Sequence, residues 1–251
     1  MHHFFVFPEL LKSENNLVML PEKLAHQVKD VLHLGTGEQL LLLDNSGDEV
    51  LCAVVKSGRT GVEVELLERR AGKPESLVRV ILCQGLLKSA RFEWILEKGT
   101  ELGVAVFSPI LCRRSMSGLE DAGPSKLQRW QRILQEATEQ CGHARLPELL
   151  PIRPLIHALN DIPPDVLALI PWEEEHDLSL RDALRTAVAE RQEKKTPLTV
   201  VLFVGPEGGL LAEEIMLARR YNVQPVTLGP RILRAETAAL TAVANVMYEL
   251  E

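Results

Sequence analysis

The tightest constraint on this chain lies in its last fifty residues, where the order strand, Gly/Pro loop, helix occurs twice. Thr199-Val200-Val201-Leu202-Phe203-Val204 is a β-branched, apolar run, and Gly205-Pro206-Glu207-Gly208-Gly209 stops it in a composition that continues neither strand nor helix. After a helix, Pro225-Val226-Thr227-Leu228 enters Gly229-Pro230-Arg231-Ile232-Leu233-Arg234, and an apolar helix carrying Ala238, Leu240, Val243, Ala244 and Met247 follows. Glycine lets the main chain come close to a ligand, so paired loops of this kind at strand ends predict a pocket walled by backbone N–H and C=O groups. Either loop alone reads equally well as a helix-starting turn. The charged Glu207, Arg231, Arg234 and Glu236 favour a site, because packing alone does not require them.

With 251 residues, 46% of them hydrophobic, the chain can bury a large core as one domain or two. No run approaches 18 apolar residues, and Met1-His2-His3-Phe4-Phe5-Val6 lacks the basic start of an export signal, so the expectation is a soluble cytoplasmic protein with no membrane partner. Cys52, Cys83, Cys112 and Cys141 are far apart and form no CxxC pair, which argues against a zinc site or a disulfide scaffold. Cys83 and Cys112 sit in apolar runs and read as small buried hydrophobes. Neither glycine loop is G-x-G-x-x-G or a P-loop, and no H-E-x-x-H or Gly-x-Ser-x-Gly occurs. A dinucleotide crevice, phosphate loop, metal hydrolase and nucleophile elbow are therefore all disfavoured.

The net charge of −7 argues against a simple basic nucleic-acid binder. Its distribution weakens that argument. Residues 79–145 carry 10 Lys/Arg against 7 Asp/Glu, net +3, while residues 1–72 and 146–200 are each net −4. The positive middle suits a phosphate backbone or an ordinary solvated face. Lys88, Arg91, Arg113, Arg114 and Arg145, in or beside it, are the candidate phosphate contacts.

Residues 1–70 read as short strands joined by tight turns. Leu40–Leu43 and Glu49–Val55 flank a hairpin turn, Val62–Leu67 alternates as a half-buried strand does, and a helix over 22–32 places Leu24, Val28, Val31 and Leu32 on one side. The result predicted is a small β-barrel or sandwich over 1–72. Ala71-Gly72-Lys73-Pro74-Glu75-Ser76 is the best boundary, and residues 73–251 then alternate strands and helices: an α/β domain with a mostly parallel sheet. Predicted strands are Val78–Cys83, Val104–Leu111 and Val166–Ile170; predicted helices open at Ser89, span 125–140, and start from a Ser179/Asp182 capping box. Trp94 and Trp130 are expected to pack in the core rather than stack on bases.

The loops and several central blocks resemble the ribosomal RNA small subunit methyltransferase E family: Phe203 to Gly209 followed by Glu213-Glu214-Ile215, Leu228 to Ala238, Gln84-Gly85-Leu86-Leu87-Lys88, Glu97 to Gly103, Arg129-Trp130, and Glu136 to Gly142. The likeness covers nearly the whole chain, in order. It implies a PUA-like RNA-binding β-barrel followed by a SPOUT-type domain whose C-terminal chain threads a trefoil knot. It further implies a homodimer that moves a methyl group from S-adenosylmethionine to N3 of a uridine in 16S rRNA, within the small ribosomal subunit. No metal is implied. The alternatives are a related knotted enzyme with another RNA or base atom, and an RNA-binding module without catalysis.

By the same resemblance, Phe203, Gly205, Pro206, Glu207, Gly208 and Gly209, with Leu228, Gly229, Ile232, Leu233 and Arg234, would cradle the cofactor, and the turn from Pro171 to Glu173 would add a third wall. Uracil N3 carries a proton, so the enzyme must remove it and steady the charge that spreads onto the neighbouring carbonyl oxygens. Arg234 is the expected oxygen-side group, with Arg231 second. Glu236 or Glu207 is the expected proton acceptor, unless each instead caps a helix or holds an arginine. His3, His33 and His143 stand where the family commonly has arginine, and Leu211 where it commonly has a helix-capping serine.

Overall fold

The computed structural model describes residues 1–13, 15–72, 76–115, 118, 123–191 and 198–250. Lys73, Pro74 and Glu75, at the expected boundary, lie outside the described residues. By internal contacts the chain forms two units, residues 1–75 with 135–146, and residues 76–134 with 147–251.

In the first unit, β1 (His2–Phe5), β2 (Leu17–Met19), β3 (Gln39–Leu43), β4 (Asp48–Gly58) and β5 (Gly61–Ala71) form a sheet in the order β1-β3-β4-β5-β2. β1 runs parallel to β3 and the other pairings are antiparallel. Alternation sends Leu40, Leu42, Cys52, Val54, Val62 and Val64 into one core. The expected helix over 22–32 is two pieces: α1 (Glu22–His26) and a π-helical turn over Gln27–Val31. There the Leu32 N–H donates to the Gln27 carbonyl. This widening rotates Val31 out of the apolar stripe, leaving it 60% exposed while Val28 is fully buried.

The second unit is built on β6 (Val78–Gly85), β7 (Val104–Leu111), β8 (Glu148–Leu149), β9 (Arg153–Pro154), β10 (Leu167–Pro171), β11 (Leu198–Val204) and β12 (Gln224–Val226). Their order is β12-β10-β11-β6-β7-β8, with β9 also on β7, and every pairing is parallel. Both faces are covered, which is why these strands are nearly continuous apolar runs. On one face Val80, Leu82, Val200 and Leu202 pack with residues of α2 (Ser89–Glu101), α5 (Leu180–Arg191) and α7 (Ala235–Leu250). On the other, Cys83, Ile170, Val201 and Phe203 pack with residues of α4 (Leu155–Asn160) and α6 (Ala212–Arg220).

The helix α3 (Pro124–Cys141) starts in the second unit, and its turns from Gln135 belong to the first, where Glu139 accepts the Phe5 N–H at 2.9 Å. Trp130 is fully buried against Phe92, as expected, with ring centroids 4.5 Å apart. Trp94 corrects the expectation: it is 46% exposed. At 100° per residue it lies about 200° around the helix from Phe92, opposite the stripe of Phe92, Ile95 and Leu96. No described helix is long and apolar enough to cross a membrane.

Candidate active site

Because β6, β7, β10, β11 and β12 all run the same way, the segments that follow them leave one edge of the sheet. That edge gathers residues 86–88, 112–115, 172–178, 205–211 and 227–234. Strand carboxyl ends are where ligands bind in sheets of this kind.

The loop after β11 is held from several sides. Gly85 ends β6 so close to it that a Cβ there would meet the Pro206 nitrogen, and the Gln84 amide donates to the carbonyls of Gly85 (2.9 Å) and Gly205 (3.2 Å). Arg114 donates to the Gly208 carbonyl at 3.0 Å. Buried Glu214 in the first turn of α6 accepts the N–H groups of Leu211 and Arg113, both at 2.9 Å, tying two loops together. A leucine side chain cannot accept the returning bond of a capping box, so at Leu211 only the glutamate half of that motif forms. Gly209, at φ +74°, has the Glu173 carboxylate beside it. That carboxylate brings the turn after β10 up to the loop after β11.

The loop after β12 is far less enclosed. Gly229 has φ +113° and open space where a Cβ would stand, and Thr227 Oγ1 accepts its N–H at 3.2 Å. Ile232 is 88% exposed, Leu228 and Leu233 are half-buried, and the exposed guanidinium groups of Arg231 and Arg234 have no partner among the described residues. Phe203 differs from its expected cofactor neighbours, since its side chain is wholly within the core and only its main chain is left to face a ligand.

The four expected catalytic residues are brought to this edge, and Arg91, expected on RNA, joins them. Its Nη1 lies 2.8 Å from Glu207 Oε1 and its Nε 3.7 Å from Glu236 Oε1. Glu236 is buried in the first turn of α7, and its Oε2 has no hydrogen-bond partner among the described residues. Lys88, exposed, precedes α2, while Arg113 and Arg114 follow β7. Arg145 belongs to the first unit, where its guanidinium lies against Gly47.

Comparison with known proteins fits this geometry. An RNA methyltransferase domain model matches residues 73–247. The ribosomal RNA small subunit methyltransferase E of Bacillus subtilis is 30% identical over 230 residues, covering 90% of this chain and 88% of that protein. The chain belongs to the ribosomal RNA small subunit methyltransferase E family. The family's Synechocystis protein is 34% identical over 227 residues, covering 90% of this chain and 71% of its own. The crystal structure of the Neisseria gonorrhoeae family member, bound to S-adenosyl methionine, superposes with TM-score 0.83 at 29% identity, covering 99% of this chain and 97% of that one. The α/β fold with a mixed N-terminal sheet and a parallel C-terminal sheet is the one shared by SPOUT-fold methyltransferases.

Reading the sequence did not assign roles to three residues that shape this family member's site. Gln84, a polar residue closing an apolar strand at the carboxyl edge, carried a signal. So did Glu214, an acid in the first turn of a helix. Glu175 carried none separable from Glu173 and Glu174, yet it is the one of the three that is buried. It accepts N–H bonds from Asp177 (3.0 Å) and Leu178 (3.4 Å) and a guanidinium bond from Arg219 (3.1 Å). Those bonds, the Asp177 N–H foremost, hold its carboxyl below the usual range.

Proposed function

We propose that this protein transfers a methyl group from S-adenosylmethionine to N3 of a uridine in 16S rRNA of the small ribosomal subunit. What carries the reading is the convergence of the three loops after β10, β11 and β12 at one sheet edge, with Arg231 and Arg234 partnerless among the described residues. Membership of the family and the likeness to a family member bound to S-adenosyl methionine support it. Also part of the reading are a PUA-like RNA-binding barrel over residues 1–72, a trefoil knot in the SPOUT-type domain over 73–251, a homodimer and a cytoplasmic location.

The residues present fit the cofactor. Open space at Gly229 and unsecured Ile232 leave room for a nucleoside beside backbone groups, and carboxylates at Glu173 and Glu207 suit a cationic ligand. The cofactor-holding set is the main chain of 203 and 205–209, Leu228, Gly229 and 232–234, with Pro171 on the third side. S-adenosylmethionine supplies a methyl group already activated on a sulfonium, so no acid is needed for its leaving group. The chain's own work is to place uracil N3 in line, to remove its proton and to steady charge on the flanking carbonyl oxygens. Arg234 takes the last role, with Arg231 second or on a phosphate. Lys88, Arg113, Arg114 and Arg145 are proposed RNA contacts, and Arg91 too, insofar as its pairing with the glutamates leaves it free.

The decisive experiment is incubation with unmethylated small ribosomal subunits and labelled donor, followed by mapping of the modified nucleoside. N3-methyluridine at one position is the expected product. Failure of correctly folded protein to bind S-adenosylmethionine would remove the assignment. An Arg234→Ala protein that binds both partners and keeps the full rate would remove Arg234 from the scheme.

A further inference from the structure

The two glutamates at the site are not equivalent. Glu207 is the more exposed, and its Oε1 is committed to Arg91 at 2.8 Å. Glu236 has a side chain only 10% exposed, a long 3.7 Å approach to the same guanidinium, and a second oxygen with no donor among the described residues. Leaving a buried acceptor unpaired is costly, so a residue of this kind is expected to meet a donor in the working complex. Of the elements packed against α7, α2 provides Arg91, while on α5 Arg185 pairs with Glu249 at the opposite end of α7. β6 contributes Gln84, whose amide is turned toward the Gly85 and Gly205 carbonyls.

Resting on the methyltransferase reading above, we infer that Glu236 is the proton acceptor for uridine N3, and that Arg91, anchored by Glu207, is the positioning residue that keeps the Glu236 carboxylate aimed. The N3–H bond breaks, its electron pair stays on nitrogen, and the proton goes to a Glu236 oxygen. The nitrogen pair then forms the bond to the methyl group that the sulfonium donor gives up, and the donor's sulfur keeps the electrons of the broken bond. Glu236 returns its proton to water after product leaves. At 3.7 Å the Arg91 guanidinium orients the Glu236 carboxylate and leaves its second oxygen without a donor among the described residues, whereas the tight pair at Glu207 would have to be broken first.

The test uses the full-length protein with small ribosomal subunits and has two readouts. In single-turnover methylation, Glu236→Gln is expected to lose about a hundredfold or more while calorimetry shows unchanged S-adenosylmethionine affinity. Its residual rate should climb about tenfold per pH unit where the wild type is level, since only ionised uridine then reacts. Glu207→Gln should lower the rate less, about tenfold, with the shape of the pH profile kept. Independently of turnover, cofactor-free wild type should bind subunits carrying uridine about tenfold more tightly than subunits carrying N3-methyluridine, which lacks the N–H, and Glu236→Gln should narrow that gap. Where wild type makes N3-methyluridine, a Glu236→Gln rate within about threefold and an unchanged pH profile overturn this inference alone. Should that variant fail to fold, the wild-type profile decides: a level region supports the inference and a first-order rise throughout overturns it. A wild-type product other than N3-methyluridine overturns the parent reading and this one with it.

Discussion

Gly85 and Pro206 meet across the ends of β6 and β11, so closely that a Cβ on Gly85 would lie 2.5 Å from the Pro206 nitrogen and 2.8 Å from the Gly205 carbonyl carbon. Both atoms are backbone, and no rotamer change relieves the overlap. Gly85→Ala must therefore push the loop after β11 away from the sheet edge. The expected cost is about 2 kcal/mol of stability, typical of overpacking, together with about tenfold weaker S-adenosylmethionine binding. Denaturant unfolding and calorimetry on the same preparation check both. A variant that keeps its cofactor affinity would show that the loop tolerates the shift.

The α/β architecture was legible because the second unit's strands are apolar on both faces and its helices carry one stripe each; β6, β7, β10 and β11 fall within about two residues of the expected spans. Both glycine loops were legible for the same reason that they matter, since no regular element survives their composition. What was not legible depended on distance. Arg91 and Glu207 are 116 residues apart, and nothing local to α2 announces that one of its arginines reaches the loop after β11. The grouping of Gln135–Leu146 with the first unit was hidden likewise, because α3 keeps one helical period through the point where its neighbours change. Trp94 was read as lying on an apolar helical face, which it does not. The angle from Phe92, available from the sequence, already placed it outside.

Arg114 has two possible uses that salt separates. If its main task is the bond to the Gly208 carbonyl, Arg114→Gln should weaken S-adenosylmethionine binding about threefold to tenfold and leave the salt dependence of RNA binding unaltered. If it grips phosphate, the slope of log affinity against log salt should fall by about one ion. Lys88, whose side chain has no partner among the described residues, is the comparison: Lys88→Gln should change the slope and spare the cofactor.

The cysteines should sort by burial. Burial pushes the thiols of Cys52 and Cys83 up to about 12, and it raises Cys112 further with the Glu214 carboxylate nearby, so none of the three offers thiolate at neutral pH. Cys141, at the end of α3, is partly exposed. A disulfide reagent at neutral pH should therefore label Cys141 in the native protein, and all four cysteines only after unfolding. Mass mapping of the labelled peptides is the check, and rapid native labelling at Cys83 would contradict the packing of the parallel sheet.

Glu175 ties the segment after β10 to α6, and its role carries a definite pH signature. Its carboxyl is held below the usual range, chiefly by the Asp177 N–H, with the Leu178 N–H and Arg219 assisting. A depressed folded-state value means the charged form is favoured by folding. The stability it contributes is complete above the ordinary glutamate value and disappears as pH falls through the folded-state value. Glu175→Gln should then cost about 1 kcal/mol at neutral pH, because the amide replaces a charged acceptor shared among several donors. That deficit should shrink on acidification until the two proteins unfold alike. Because Gly209 has Glu173 beside it, loosening the turn that carries Glu173 should also weaken S-adenosylmethionine binding severalfold at neutral pH. Thermal unfolding across an acid-to-neutral series, with calorimetry at its neutral end, tests both. A deficit that stayed constant with pH would mean that the Glu175 contacts act through shape rather than charge.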